Sequence, residues 1–310
     1  MSKLYNEIEP FEQGWLKVSE LHSIYYEVSG NPEGIPLLFV HGGPGGSTSP
    51  KCRRLFNPEK YKIILFDQRG TGKSLPLFET TNNNTWELVK DIEKLREYLN
   101  VEQFVLFGGS WGTTLGLTYA INHPNRVKTL VLRGVFLARQ EDIDFLYEKG
   151  ADAFYPEYFK DYADFVKDVP ESSILRKYYK VLNTNEYDVE TKERAAYLFA
   201  NWEGCLVSVN HPKLSDEKDG NMSIAKLESH YFYHGSFFPT DNYILENTDK
   251  IKNIPTYIVH GRQDMDTRPI GAYLLNEKLN NCELNFIDTA GHTMWDENNL
   301  SKLIEIFDRI

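Results

Sequence analysis

Six short runs dominated by apolar residues punctuate the chain: "IPLLFV" from Ile35, "YKIILF" from Tyr61, "FVLF" from Phe104, "VKTLVL" from Val127, "IPTYIV" from Ile254 and "CELNFI" from Cys282. Runs with so little polar alternation predict strands covered on both faces. Two earlier stretches, "GWLKVS" and "SIYYEVSG", lie a turn apart and predict an opening antiparallel hairpin. Between the runs the period changes. In "NNTWELVKDIEKLREYLN", Leu88, Val89, Ile92, Leu95 and Leu99 recur on one helical face. Asn84 as N-cap, with Glu87 three residues on, has the form of a capping box. "WGTTLGLTYAINH" reads as a helix stopped by Pro124, and helical segments follow the last two runs. Strand–helix alternation of this kind predicts an α/β chain with a mostly parallel central sheet covered by helices.

That rhythm stops between residues 136 and 236, where the chain is rich in Tyr and Phe, helical in pattern and without a clear strand. The expected organisation is one α/β domain from residues 1–135 and 237–310, with 136–236 inserted as a helical cap. The cap would lie over the carboxyl edge of the sheet, where open α/β sheets bind ligands.

Composition narrows the classes. With 310 residues, 41% of them hydrophobic, the chain can bury one large core and a smaller subdomain. No stretch approaches the ~20 apolar residues of a membrane span, and "MSKLYNEIEPFEQGW" has no secretory apolar region. Cys52, Cys205 and Cys282 are too few and scattered for a disulfide or zinc framework, so a reducing, cytoplasmic setting is expected. A net charge of −11 argues against nucleic acid as a partner and is compatible with cationic ligands. Oligomeric state is not legible.

Gly108-Gly109-Ser110-Trp111-Gly112 matches G-x-S-x-G. The match is weak alone, but it directly follows an apolar strand and directly precedes a helical pattern, as a nucleophile elbow requires. A serine hydroxyl needs a base, and the base an orienting acid. Asp264, after "TYIV", and His292, after "LNFI", are delivered by strand ends to the same edge as Ser110. His292 would take and return the serine proton, and Asp264 would orient the imidazole. His260 and His41 have poorer placements, and Asp266 is the rival acid. "HGGPGG" after "LLFV" nominates the N–H groups of Gly43 and Trp111 as an oxyanion hole. "GTGKS", residues 70 to 74, resembles the end of a phosphate loop, but Asp67 stands where that motif needs glycine and Pro76 where its helix should run.

Two carboxylates in the insert sit oddly. Glu203 lies at the edge of the stripe formed by Ala195, Phe199, Trp202, Leu206 and Val209, and Glu228 lies four residues from both Ile224 and Phe232. A carboxylate on an apolar face needs a cation or donors. An internal Lys or Arg partner, or simple exposure, would supply this. So would a substrate's ammonium group.

Taken in order, "HGGPGG", "DQRGTGKS", "GGSWGTTL", "LVLRGVF", "NWEG", "LESHYF", "VHGRQDM" and "GH" resemble the α/β-hydrolase-fold proline iminopeptidases, also called prolyl aminopeptidases, over nearly the whole chain. The resemblance implies an α/β-hydrolase fold and a serine exopeptidase that removes N-terminal proline from peptides or small amides without metal or cofactor. It implies Ser110, Asp264 and His292 as triad, Gly43 and Trp111 as oxyanion hole, and Glu203 and Glu228 as binders of the free amino end. Phe136 would form an aromatic wall of the proline pocket. Phe145 and Leu146, and the stretch "DMDTRP", depart from the family pattern at positions expected to line that pocket. A carboxylesterase or amidase on the same fold, or a catalytically silent ligand receptor, are the alternatives.

Overall fold

The computed structural model describes residues 4–210 and 214–310. Its eight strands are β1 (Glu12–Lys17), β2 (Ser23–Gly30), β3 (Ile35–Val40), β4 (Tyr61–Phe66), β5 (Phe104–Gly109), β6 (Val127–Arg133), β7 (Thr256–Gly261) and β8 (Cys282–Ile287). They form one sheet in the order β1-β2-β4-β3-β5-β6-β7-β8. The β1–β2 and β2–β4 pairings are antiparallel and all others parallel. Every strand read from an apolar run is present, and the opening hairpin is β1–β2.

Nine helices of eight residues or more lie among the described residues: α1 (Thr85–Tyr98), α2 (Trp111–Asn122), α3 (Gln140–Tyr147), α4 (Pro156–Phe165), α5 (Ile174–Asn183), α6 (Val189–Leu206), α7 (Lys218–Tyr233), α8 (Pro269–Asn276) and α9 (Glu297–Arg309). On α1, Leu88, Val89, Ile92, Leu95 and Leu99 are all buried, as their spacing predicts. Asn84 caps α1 by accepting from the N–H groups of Trp86 and Glu87. The capping box is only half made: the Glu87 carboxylate goes to Lys90 (2.7 Å) and Arg69 (3.3 Å), because a salt link outcompetes a backbone N–H.

One face of the sheet packs on α1, α2 and the helices that follow β6, through Leu38, Leu106, Leu115 and Leu132. The other face closes on α9 through Phe56, Phe107 and Phe307. Helices α3 to α7 all fall between β6 and β7, with no strand among the described residues there. Their aromatic content has a packing reason. Tyr162 and Tyr178 stack with centroids 4.6 Å apart, Phe199 sets its edge against both, and the Trp202 indole donates to the Leu146 carbonyl at 2.9 Å. Helix α7 rests on the loops that follow β3 and β4. Ser223 Oγ donates to the Gly45 carbonyl (2.7 Å), and Tyr231 donates to Asn83 (2.6 Å). Gly45 has φ +133°, and a Cβ there would stand 2.5 Å from the Ser223 carbonyl, so only glycine permits this approach.

Asp67, the residue that spoils the phosphate-loop motif, is buried and accepts from Thr48 N–H and Oγ1 and from Lys73 N–H at 2.7–2.9 Å. It staples two loops together. No helix among the described residues is long and apolar enough to cross a membrane.

Candidate active site

Ser110 sits at the corner between β5 and α2, with φ +58° and ψ −128°. A non-glycine residue in that region is strained, and strain of this kind persists where surroundings over-determine it. Here they do: Ser110 N–H donates to the Arg133 carbonyl at 2.9 Å, and the flanking glycines admit close neighbours. A Cβ on Gly108 would run into the Gly112 carbonyl, and one on Gly109 into the Arg133 guanidinium. Thr113 N–H already donates to the Ser110 carbonyl at 2.7 Å, but the Trp111 N–H at the first position of α2 has no intrahelical partner and is free to face an anion. Gly43, at φ +110°, lines the same pocket as Ser110.

The loops after β7 and β8 bring His292 and Asp264 together. His292 Nδ1 lies 2.8 Å from Asp264 Oδ2. Asp264 also accepts from the N–H groups of Asp266 (3.0 Å) and Thr267 (2.8 Å) and from Thr267 Oγ1 (3.1 Å). Burial acts to raise its pKa, but His292 and these donors outweigh it and hold the carboxyl below its usual range. The rival histidines are spoken for. His260 accepts from Val135 N–H and contacts the Thr267 carbonyl, while His41 links Gln68 N–H to the Gly42 carbonyl.

The rival acid is not idle. Asp266 Oδ2 lies 2.9 Å from His292 Nε2, the nitrogen opposite Asp264. Among the described residues no hydrogen bond links Ser110 Oγ to His292. Arg133 donates to the His292 carbonyl at 2.8 Å and reaches within 3.0 Å of Nε2. Burial alone would lower the His292 pKa; Asp264 and Asp266 together lift it to about 9.

A small space, partly open to solvent, adjoins the serine. Phe136, Leu146, Tyr147, Glu203, Glu228 and Phe232 line it with Asp266 and Thr267. Phe136 and Phe232 meet edge to face at 5.5 Å, making an apolar wall. Glu228 is buried and accepts from the Tyr147 hydroxyl at 2.7 Å; Glu203 lies 3.4 Å from the same hydroxyl. Neither glutamate has a Lys or Arg ion-pair partner among the described residues, so the internal-cation explanation fails. Burial pushes both upward, Glu203 well above the carboxylate range with Glu228 and Asp266 adding to the effect, and Glu228 to about 7.

Tyr147 escaped the sequence reading, which looked to its neighbours Phe145 and Leu146. Leu146 does line the pocket, but Phe145 does not: its ring packs against Gly150 and under Arg268. Helical spacing could have found Tyr147, which falls four residues after Ile143 on the buried face of α3.

Residues 35–298 match the family model described as the alpha/beta hydrolase fold. The chain is 45% identical over 296 residues to a proline iminopeptidase of Arabidopsis thaliana, covering 94% of this chain and 77% of that one. It belongs to the proline iminopeptidase family. A second member, from Neisseria meningitidis serogroup A, is 40% identical over 308 residues, covering 99% of this chain and 98% of its own. Among solved structures, the proline iminopeptidase of Mycobacterium smegmatis superposes with a TM-score of 0.61 at 16% identity, over 96% of this chain and 98% of that one. At that identity the agreement concerns the fold. Against this proline iminopeptidase frame, the two glutamates, the aromatic wall and the serine elbow share one small pocket.

Proposed function

We propose that this chain is a prolyl aminopeptidase, a serine exopeptidase that releases N-terminal proline from peptides or small amides. The observation that carries the reading is the pair Glu203 and Glu228: two carboxylates without an internal cation, in the pocket that also holds Ser110. Proline's secondary ammonium brings one charge, two N–H donors and a compact apolar ring. The carboxylates suit the first two, and Phe136 with Phe232 suits the ring.

The chemistry follows acyl transfer. Ser110 Oγ attacks the prolyl carbonyl as its proton passes to His292 Nε2, with Asp264 holding Nδ1. The N–H groups of Gly43 and Trp111 receive the oxyanion. His292 then protonates the leaving amine, and water enters by the same route to release proline. Residues 136–236 act as a cap that recognises the amino end and blocks extension of the peptide beyond it. Free, scattered cysteines support a reducing, cytoplasmic setting.

The test is release of p-nitroaniline from proline p-nitroanilide, beside its N-acetylated form and the alanine and leucine analogues. Fast turnover of the free proline compound alone is expected, because an acetylated nitrogen leaves both carboxylates without a cation. Comparable rates on the acetylated compound would overturn the ammonium role, and faster cleavage of simple acyl esters would favour an esterase.

A further inference from the structure

We propose that Asp266 is a third carboxylate of the ammonium site, and that it holds His292 Nε2 away from Ser110 until a substrate ammonium takes its place. The inference rests on the prolyl aminopeptidase reading.

The geometry poses a problem that this solves. A serine's base works through Nε2 while its other nitrogen is held by the orienting acid. Here Asp264 occupies Nδ1 at 2.8 Å, as required, but Nε2 is crowded too: Asp266 Oδ2 lies 2.9 Å from it and the Arg133 guanidinium 3.0 Å. An imidazole bracketed by two carboxylates is held as imidazolium, and an imidazolium takes no proton from serine. Asp266 is buried, lines the pocket of Glu203 and Glu228, and has no ion-pair partner other than His292 among the described residues. Its backbone is fixed, since its N–H donates to Asp264 Oδ1 at 3.0 Å, so only its side chain is left to move.

The charged groups around His292 are few. Asp264 and Asp266 come from the loop after β7, His260 from β7 itself, Arg133 from the end of β6 and Glu203 from α6. Arg133 and His260 oppose the imidazolium, and the carboxylates favour it. An ammonium entering beside Glu203 and Glu228 changes that balance in two ways. It gives Asp266 a second cation to pair with, and it adds a positive charge that disfavours the imidazolium. Both effects leave Nε2 neutral and free to face Ser110. A substrate without an amine does neither. Selection for a free amino end therefore acts on the readiness of the base as well as on binding, and amine-free esters meet a site whose base is still blocked.

The experiment compares the full-length chain with Asp266→Asn, and with Asp266→Ser should the first variant fold poorly. Three rates are followed from pH 5 to 10: fluorophosphonate labelling of Ser110, hydrolysis of p-nitrophenyl acetate, and hydrolysis of proline p-nitroanilide. In both variants the acid limb of labelling is expected to move down by about one pH unit or more, raising labelling and ester hydrolysis at pH 7 by about tenfold. The amide-to-ester ratio is expected to fall by about tenfold or more, because the amide already displaces Asp266 and gains nothing from its removal. An unmoved acid limb, or an unchanged amide-to-ester ratio, overturns the proposal. Labelling needs no peptide, so failure of the wild type on proline p-nitroanilide counts against the substrate reading, while the position of the acid limb still reports whether Asp266 holds His292.

Discussion

Replacing Glu228 by Gln keeps the shape of the side chain and removes its charge, and the structure sets the size of two opposite effects. The carboxyl is 1% exposed, accepts from Tyr147 at 2.7 Å, and is lifted by burial from 4.5 to about 7. Between those values the folded protein keeps a proton that the unfolded chain has released, so stability falls as pH rises through the window. About 2.5 pH units at ~1.4 kcal/mol each gives a loss of about 3 kcal/mol, complete by pH 8. A glutamine has no proton to lose. Its carbonyl can accept from Tyr147, and its amide can donate to Glu203. Glu228→Gln is therefore expected to match the wild type near pH 4.5 and to melt about 5 °C higher at pH 8. The same change removes one half of a buried ammonium–carboxylate contact, a loss of about 3 kcal/mol or more, so kcat/KM on proline p-nitroanilide should fall by about a hundredfold or more. Ester hydrolysis should change little. Differential scanning fluorimetry at the two pH values and initial rates on both substrates decide the matter. Equal melting temperatures at pH 8, or equal losses on amide and ester, would refute the reasoning.

Ser110→Ala should lower amide hydrolysis by about a millionfold, because triad members act as a unit; near-normal turnover would remove Ser110 as nucleophile. Glu203→Gln should reproduce the selective loss on free-amine substrates, read as the ratio of proline p-nitroanilide to ester rates. Tyr147→Phe deprives both glutamates of a hydroxyl donor and should raise the Glu228 pKa further, moving the pH dependence of the melting temperature upward by a measurable fraction of a unit. Gly109→Ala drives a methyl into the Arg133 guanidinium, and should cost about 1–3 kcal/mol in chemical denaturation together with most of the activity.

The strands were legible because covering both faces forces apolar runs, and α1 because one buried face forces its period. The elbow was legible because the corner tolerates little but glycine around Ser110. The acid choice was harder. Asp264 and Asp266 lie two residues apart, and the chain turns so tightly between them that both carboxylates reach the same imidazole, one on each nitrogen. Nothing in linear spacing tells which nitrogen each will meet. Tyr147 was missed for a related reason: its hydroxyl matters only because α3, α6 and α7 converge, which the pattern along any one helix does not state. The upward pKa shifts of Glu203 and Glu228 likewise belong to their burial and mutual proximity, not to either stretch alone.

The seam between Gly45 and Ser223 bears on how such a protein can be rebuilt. The loop carrying Gly43 and the helix carrying Glu228 press backbone to backbone at Gly45, bridged by the short Ser223 hydroxyl, which leaves little slack to absorb a mismatch. A helical insert transplanted from a relative would arrive with its own tilt of α7, and the loop would have to follow it. Grafting residues 136–236 alone should thus yield folded chimeras with a misaimed Gly43 N–H, whereas grafting them with residues 41–47 should keep aim and selectivity together. The smallest exchangeable part of this molecule is a discontinuous pair of segments rather than the insert.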